Sequence, residues 1–230
     1  MRREGFSLYL GIREYDEILR LQKRINSTHQ ENGIPDTVIF LEHYPCITIG
    51  RQGKNDHILK SRSWLKKKGI EVCKTDRGGD VTYHGPGQLV CYPILDLRNY
   101  NWDVLAYARL LEEVVIKTLQ SFGIASGRKE KHPGVWVNDH RKIAAQGISL
   151  TRWVTMHGLS LNVSTLMEHF SLIVPCGLST FQVTSMEECL GVPVKMSAVF
   201  SEMNNNFIEL FDIELKPVRE EEIEVLLNHG

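Results

Sequence analysis

Between Arg77 and Gln88 the chain reads RGGDVTYHGPGQ, with glycines at 78, 79, 85 and 87 set between two strand-like apolar runs. Glycine gives a backbone access to positive φ angles and lets it approach another surface with no Cβ in the way. The segment therefore calls for a β-rich frame in which two strands are joined by backbone held close to something. Arg77, Thr82 and His84 could offer hydrogen bonds there to a carbonyl or an anion, as the wall of a pocket. The structural alternative is a tight bulged turn in which His84 is bonded to backbone. No Gly-Lys-Ser/Thr follows, so this is not a phosphate loop, and no GxGxxG opens a helix, so it is not a dinucleotide fingerprint.

The periodicity on either side predicts an α+β fold. Arg13 to Gln30 reads as a helix with an apolar face at Tyr15, Ile18, Leu19, Leu21 and Ile25. Thr37 to Glu42 and Cys46 to Ile49 read as short strands around the Tyr44-Pro45 turn, and Ile70 to Cys73 and Leu89 to Leu97 as strands flanking the glycines. His57 to Lys68 is a basic amphipathic stretch closed by Gly69. Asp103 caps a strong helix to Phe122; Gly134 to Val137 and Lys142 to Ile148 form a hairpin around Asn138-Asp139-His140-Arg141, with Trp153 to Val163 as a third neighbour. After a capping box at Ser185 and Glu188, Ala198 to Phe211 and Glu220 to Leu227 read as helices, and Lys216-Pro-Val could set off a small C-terminal element. A single domain over residues 1–230, helical from about residue 185, is the simplest reading. Its 230 residues, 42% hydrophobic and 24% charged, can bury a core without disulfides or metal.

A formal net charge of -1 offers no general attraction to nucleic acid or to an anionic membrane. The apolar runs Val38 to Leu41 and Leu89 to Leu97 fall well short of a bilayer span. The start MRREGFSLYLGIREYDE has no apolar signal region, and its acids Glu4, Glu14 and Asp16 argue against a transit peptide, so a cytoplasmic protein is expected. Lys60, Arg62, Lys66, Lys67 and Lys68 form either a docking patch for an acidic protein or, more simply, a solvated helix face.

The five cysteines show neither a CxxC pair nor zinc-site spacing, and most should be small core residues with reduced thiols. Cys176 differs in its setting, IVPCGL: Pro175 fixes the approach, and Gly177 frees the next N–H to face an oxyanion formed at the sulfur's substrate. A useful thiol nucleophile needs a nearby cation or base. Lys142, His84 and His157 are all candidates, and spacing does not choose among them.

RGGDVTYHGPGQLVCYPILDL (77 to 97) resembles the signature of lipoyl(octanoyl) transferases. The likeness continues in LEHYPCITIGRQG, GVWVNDHRKIAAQGIS, TMHGLSLNV, IVPCGL and VTSM, and so covers most of the chain. It implies a single-domain fold like the catalytic domains of biotin and lipoate protein ligases, with mixed sheets flanked by helices. It also implies transfer of octanoyl from octanoyl-acyl carrier protein to a lysine of lipoyl domains, those of 2-oxoacid dehydrogenase E2 subunits and of the glycine cleavage H protein, with no ATP and no metal. The family's Cys/Lys dyad falls on Cys176 and Lys142. Its acyl-binding segments fall on Arg77, Gly78, Gly79, Asp80, Val81, Thr82, Tyr83 and His84, on Ala145, Gln146 and Gly147, and on Gly158, Leu159 and Ser160. Gln146 stands where the family usually has an aliphatic side chain.

The implied mechanism is a ping-pong reaction through a Cys176 acyl-enzyme, with Lys142 as cation or general base. Its rivals are an ATP-dependent lipoate ligase, which would need no cysteine, an amidotransferase that moves the acyl group between proteins, and a silent lipoyl-domain or carrier-protein binder with a structural Cys176.

Overall fold

The computed structural model describes residues 2–31, 33–138, 140–174 and 182–229. Cys176, with Pro175, Gly177 and Leu178 of its motif, lies outside the described residues, as does Asp139 of the hairpin turn.

The order of elements is β1 (Arg3–Arg13), α1 (Tyr15–Gln30), β2 (Asp36–His43), β3 (Cys46–Ile49), α2 (Arg62–Lys67), β4 (Glu71–Lys74), β5 (Val81–His84) and β6 (Gln88–Ile94). It continues with α3 (Val104–Ser121), β7 (Gly127–Lys129), β8 (His132–Val137), β9 (Arg141–Thr151), β10 (Val154–Asn162), β11 (Gln182–Val183), α4 (Met186–Leu190), α5 (Met196–Phe211), β12 (Ile213–Pro217) and α6 (Glu220–His229). Among the described residues the strands form a nine-stranded mixed sheet, β12-β1-β2-β6-β10-β9-β8-β7 with β11 on β9, and a three-stranded sheet, β4-β3-β5.

The central strands β2 and β6 are apolar at consecutive positions because both faces of the large sheet are covered. Val38, Phe40, Leu89 and Cys91 point to a core completed by α3 and α5 through Leu111, Val115, Met203 and Phe207. Ile39, Leu41, Val90 and Tyr92 point the other way, to Ile18, Leu21 and Ile25 of α1 and Ile223 of α6. The expected caps form: the Asp103 carboxylate accepts from Ala106 N–H at 2.7 Å and the Ser185 hydroxyl from Glu188 N–H at 3.2 Å. No helix among the described residues is long and apolar enough to cross a membrane.

Five differences from the sequence reading have local causes. β1 shows no alternation because two of its buried positions are Gly5 and Ser7; a Cβ on Gly5 would lie 2.6 Å from the Asp36 carbonyl. Arg13 closes β1, so α1 starts only at Tyr15. The basic stretch starts at His57 on the end of a short 3-10 turn and is α-helical only from Arg62, where Ser61 caps it, because Ile58 in between bridges Ile173. The Lys216 segment is not set apart: β12 runs parallel to β1, with Phe6 opposite Lys216. The strand expected to reach Leu97 stops at Ile94, and Leu97–Tyr100 turns as a short 3-10 helix capped by Asp96.

Candidate active site

A cavity of about 590 Å³ is lined by the glycine-rich segment, β9, β10, Ala108 of α3 and Trp136 of β8. The glycine-rich segment is stitched to both sheets. Gly78 N–H donates to the Ile148 carbonyl at 2.9 Å, and a Cβ on Gly147 would meet the Gly78 carbonyl at 2.8 Å. On the other side a Cβ on Gly50 would lie 2.4 Å from the Gly79 carbonyl, and Gly79 itself has φ +82°. What this backbone approaches first is therefore other backbone, and the wall is rigid because of it.

Arg77, Gly78, Gly79, Asp80, Val81, Thr82 and His84 all line the cavity, as do Ala145, Gln146, Gly147, Gly158, Leu159, Ser160 and Lys142. Tyr83 is on the face of β5 opposite Thr82 and His84, as period-two alternation requires, and does not line the cavity: its hydroxyl meets His169 Nδ1 at 2.8 Å and its ring packs on Phe170. The Arg77 guanidinium donates to the Thr48 carbonyl and hydroxyl, each at 2.8 Å, and to the Gly78 carbonyl at 2.9 Å, welding β3 to the glycine-rich segment. Asp80 pairs with His57. Gly158 is a glycine because β6 passes over it: a Cβ would lie 2.2 Å from the Cys91 carbonyl. Gly158→Ala should cost about 3 kcal/mol by overpacking, and urea unfolding of the variant measures it; an unchanged midpoint would show that β10 and β6 can part freely.

The three candidate partners for a thiol separate by environment. His84 is buried, with Nδ1 at 2.6 Å from Gln88 Oε1, and burial pushes its pKa down to about 3, so it carries no charge at neutral pH. His157 also lines the cavity, and its Nε2 is engaged at 2.9 Å by Oδ1 of Asp76, which lies outside the lining. The hydrogen bond from His157 in turn holds the Asp76 carboxyl down at about 2. Lys142 lies on the cavity wall, with Nζ donating to the Pro133 carbonyl at 3.0 Å and standing 4.8 Å from the centre of the Trp136 ring.

The chain on both sides of the Cys176 segment is anchored. Before it, Ile173 bridges Ile58 and Val174 N–H donates to the His57 carbonyl at 2.8 Å. After it, β11 pairs with β9 so that Val183 is opposite Lys142, and Thr184 N–H donates to the Lys142 carbonyl at 2.9 Å. Three of the other cysteines are core residues: burial pushes the thiols of Cys46 and Cys91 well up and that of Cys73 to about 12. Cys189 is half-buried against the larger core.

Sequence reasoning did not find Glu112, Pro133 and Trp136. Glu112 is 3% exposed and receives Gln146 Nε2 at 2.9 Å, so the unusual amide of β9 is tied to a carboxylate on α3. A glutamate on the buried stripe of an amphipathic helix was the available signal.

Residues 14–208 match the lipoyl protein ligase A/B catalytic domain family. An octanoyltransferase of Solibacter usitatus is 47% identical over 208 residues, 90% of this chain and 93% of that protein. The fold is similar to that of a lipoate-protein ligase A bound with ATP, with a TM-score of 0.78 at 18% identity over 98% of this chain and 93% of that one. It is also similar to the biotin protein ligase of Aquifex aeolicus, with a TM-score of 0.51 at 14% identity over 89% and 68% of the two chains. With nearly half its residues shared along almost the whole length, the chain belongs to the octanoyltransferase family, acyltransferases built on the lipoyl protein ligase A/B catalytic domain.

Proposed function

We propose that the enzyme takes octanoyl from octanoyl-acyl carrier protein, holds it as a thioester on Cys176, and delivers it to the target lysine of lipoyl domains. Those domains are carried by 2-oxoacid dehydrogenase E2 subunits and the glycine cleavage H protein, and the reaction runs in the cytoplasm. The observation that carries the reading is the pairing of β11, which begins six residues after Cys176, with β9 at Lys142, a residue of the cavity wall.

In the first half-reaction the Cys176 thiolate attacks the thioester carbon, the carrier's C–S bond breaks, and the carrier thiolate takes a proton. In the second, the target lysine's amine attacks the Cys176 thioester; an amide forms, the amine gives up a proton, and the Cys176 thiolate is restored. Lys142 serves the first step as the ammonium beside the thiolate and the second as the base for the incoming amine. Exchange of one thioester for another is nearly isoenergetic, and amide formation is downhill, so neither nucleotide nor metal is needed. The exposed basic face at α2, where Lys60 and Lys68 flank the Trp64 ring at 5.7 and 5.8 Å, follows Ile58, which bridges Ile173, and suits an acidic carrier protein.

Intact mass after incubation with octanoyl-acyl carrier protein tests the reading. We expect one octanoyl adduct, sensitive to hydroxylamine, missing from Cys176→Ser, and formed without ATP. An adduct that persists in Cys176→Ser, or turnover that requires ATP, overturns it.

A further inference from the structure

Four donors converge on the buried Glu112 carboxylate. Arg109 reaches Oε2 at 3.0 Å and Arg128 Nε reaches it at 3.1 Å; Gly134 N–H and Gln146 Nε2 both reach Oε1 at 2.9 Å. They come from α3, β7, β8 and β9, so the carboxylate ties a helix to three strands. Burying a carboxylate is costly even when it is fully paired, and an apolar side chain would fill the same space at least as well. Such a group is better explained by what it orients.

The peptide unit between Pro133 and Gly134 supplies the link. Its N–H donates to Glu112 Oε1, and its C=O accepts from Lys142 Nζ at 3.0 Å. A trans peptide is planar with C=O and N–H on opposite edges, so fixing one edge aims the other. The unit is also held in place sterically: Gly134 has φ +114°, and a Cβ there would lie 2.5 Å from the Ala144 carbonyl and 3.5 Å from Lys142 Cε. Hydrogen bonds in series polarise one another, which strengthens the Lys142 contact when the Glu112 contact is made. Arg109 and Arg128 offset the charge of Glu112, so what passes along the chain is chiefly direction.

We propose that Glu112 is a positioning residue of the transfer reaction, acting on Lys142 through the Pro133–Gly134 peptide, with Gln146 as the side chain that steadies the same carboxylate oxygen. The proposal rests on the Cys176 and Lys142 reading. It assigns the departure at Gln146 to the seat of the lysine.

The test uses the full-length enzyme and Glu112→Gln, Glu112→Asp and Lys142→Ala. Two quantities are read: the rate of acylation by octanoyl-acyl carrier protein, and the pH midpoint for carboxymethylation of Cys176, followed by peptide mass. A glutamine cannot accept from both arginines and from Gly134 in either amide orientation; aspartate keeps the charge and retracts the carboxylate by one methylene. Among the described residues, the other charged groups near Lys142 stay in place: Lys129, 5.3 Å from the same Trp136 ring, Lys131 and His132 on the cavity wall, neighbouring Arg141, and Glu113, paired with Arg128.

We expect Glu112→Gln to slow acylation about tenfold with little change in KM, and to raise the Cys176 midpoint part of the way toward its value in Lys142→Ala. Glu112→Asp should move both in the same direction by less, and carries the test if the glutamine variant does not fold. A midpoint unchanged in both Glu112 variants while Lys142→Ala raises it overturns this inference and leaves the dyad standing. A midpoint unchanged in Lys142→Ala overturns the dyad and this inference with it.

Discussion

Lys142→Ala should slow the acylation half-reaction by about a hundredfold or more, the usual cost of removing a general base or its equivalent. The fold should survive, since the ammonium makes its hydrogen bond to Pro133 at an exposed position, with Nζ 4.8 Å from the centre of the Trp136 ring. Quenched-flow mixing with octanoyl-acyl carrier protein, sampled by intact mass, separates this step from turnover. Lys142→Arg distinguishes the two roles of the amine. Guanidinium remains a cation but gives up no proton at working pH, so it should keep part of the thiolate stabilisation in acylation and fail in the transfer to lysine. The competing assignment is to His84. Burial holds that ring neutral and its Nδ1 is committed to Gln88, which leaves no cation there for a thiolate. If His84→Ala abolished thiol reactivity and Lys142→Ala did not, the dyad would be misassigned.

Unfolding free energy should fall as the solution is acidified from about pH 6.5 to pH 5, before most carboxylates protonate. His43 and His84 lie with ring centres 5.6 Å apart, and burial pushes them down to about 4 and about 3 respectively. In the unfolded chain both titrate near the ordinary value of about 6.5. Below that pH the unfolded state takes two protons that the native state refuses, so stability falls with falling pH, by up to about 2.7 kcal/mol per pH unit for the pair. The His43 contribution levels off near pH 4. Asp76 acts in the same direction lower down: its native carboxyl, held at about 2, contributes stability above the unfolded value of about 3.9 and loses it as pH falls through 2. Urea unfolding at a series of pH values measures the slope, and His84→Gln should roughly halve it. A slope untouched by that substitution would place the acid sensitivity elsewhere.

Patterns carried by neighbouring residues were legible without coordinates. The hairpin of β8 and β9, the α3 cap at Asp103 and the start of α4 at Ser185 depend on side chains acting within a few positions, and all three form, although β9 already begins at Arg141, opposite Val137. β1 and β12 were not legible, since β12 is a strand only through its pairing with β1, and β1 only through its pairing with β12 and β2. Gly5 and Ser7 in β1 erase the alternation that would have announced it.

The same division runs through the site. The glycine-rich segment was recognisable as a wall because four glycines in twelve residues have few uses in a chain. That it is sewn to Ile148 on one side, while Gly50 closes against Gly79 on the other, required the two sheets to be brought together. Among Lys142, His84 and His157 local spacing could not choose, because a proton-accepting environment is made by groups distant in the chain. Residue order alone determined the motifs and the family they mark, since those are properties of adjacent side chains and of backbone freedom. Tertiary structure decided that His84 is held neutral, that Tyr83 turns from the cavity, and that Glu112 reaches Lys142 through one peptide, since burial and hydrogen bonding exist only once distant segments exclude water together.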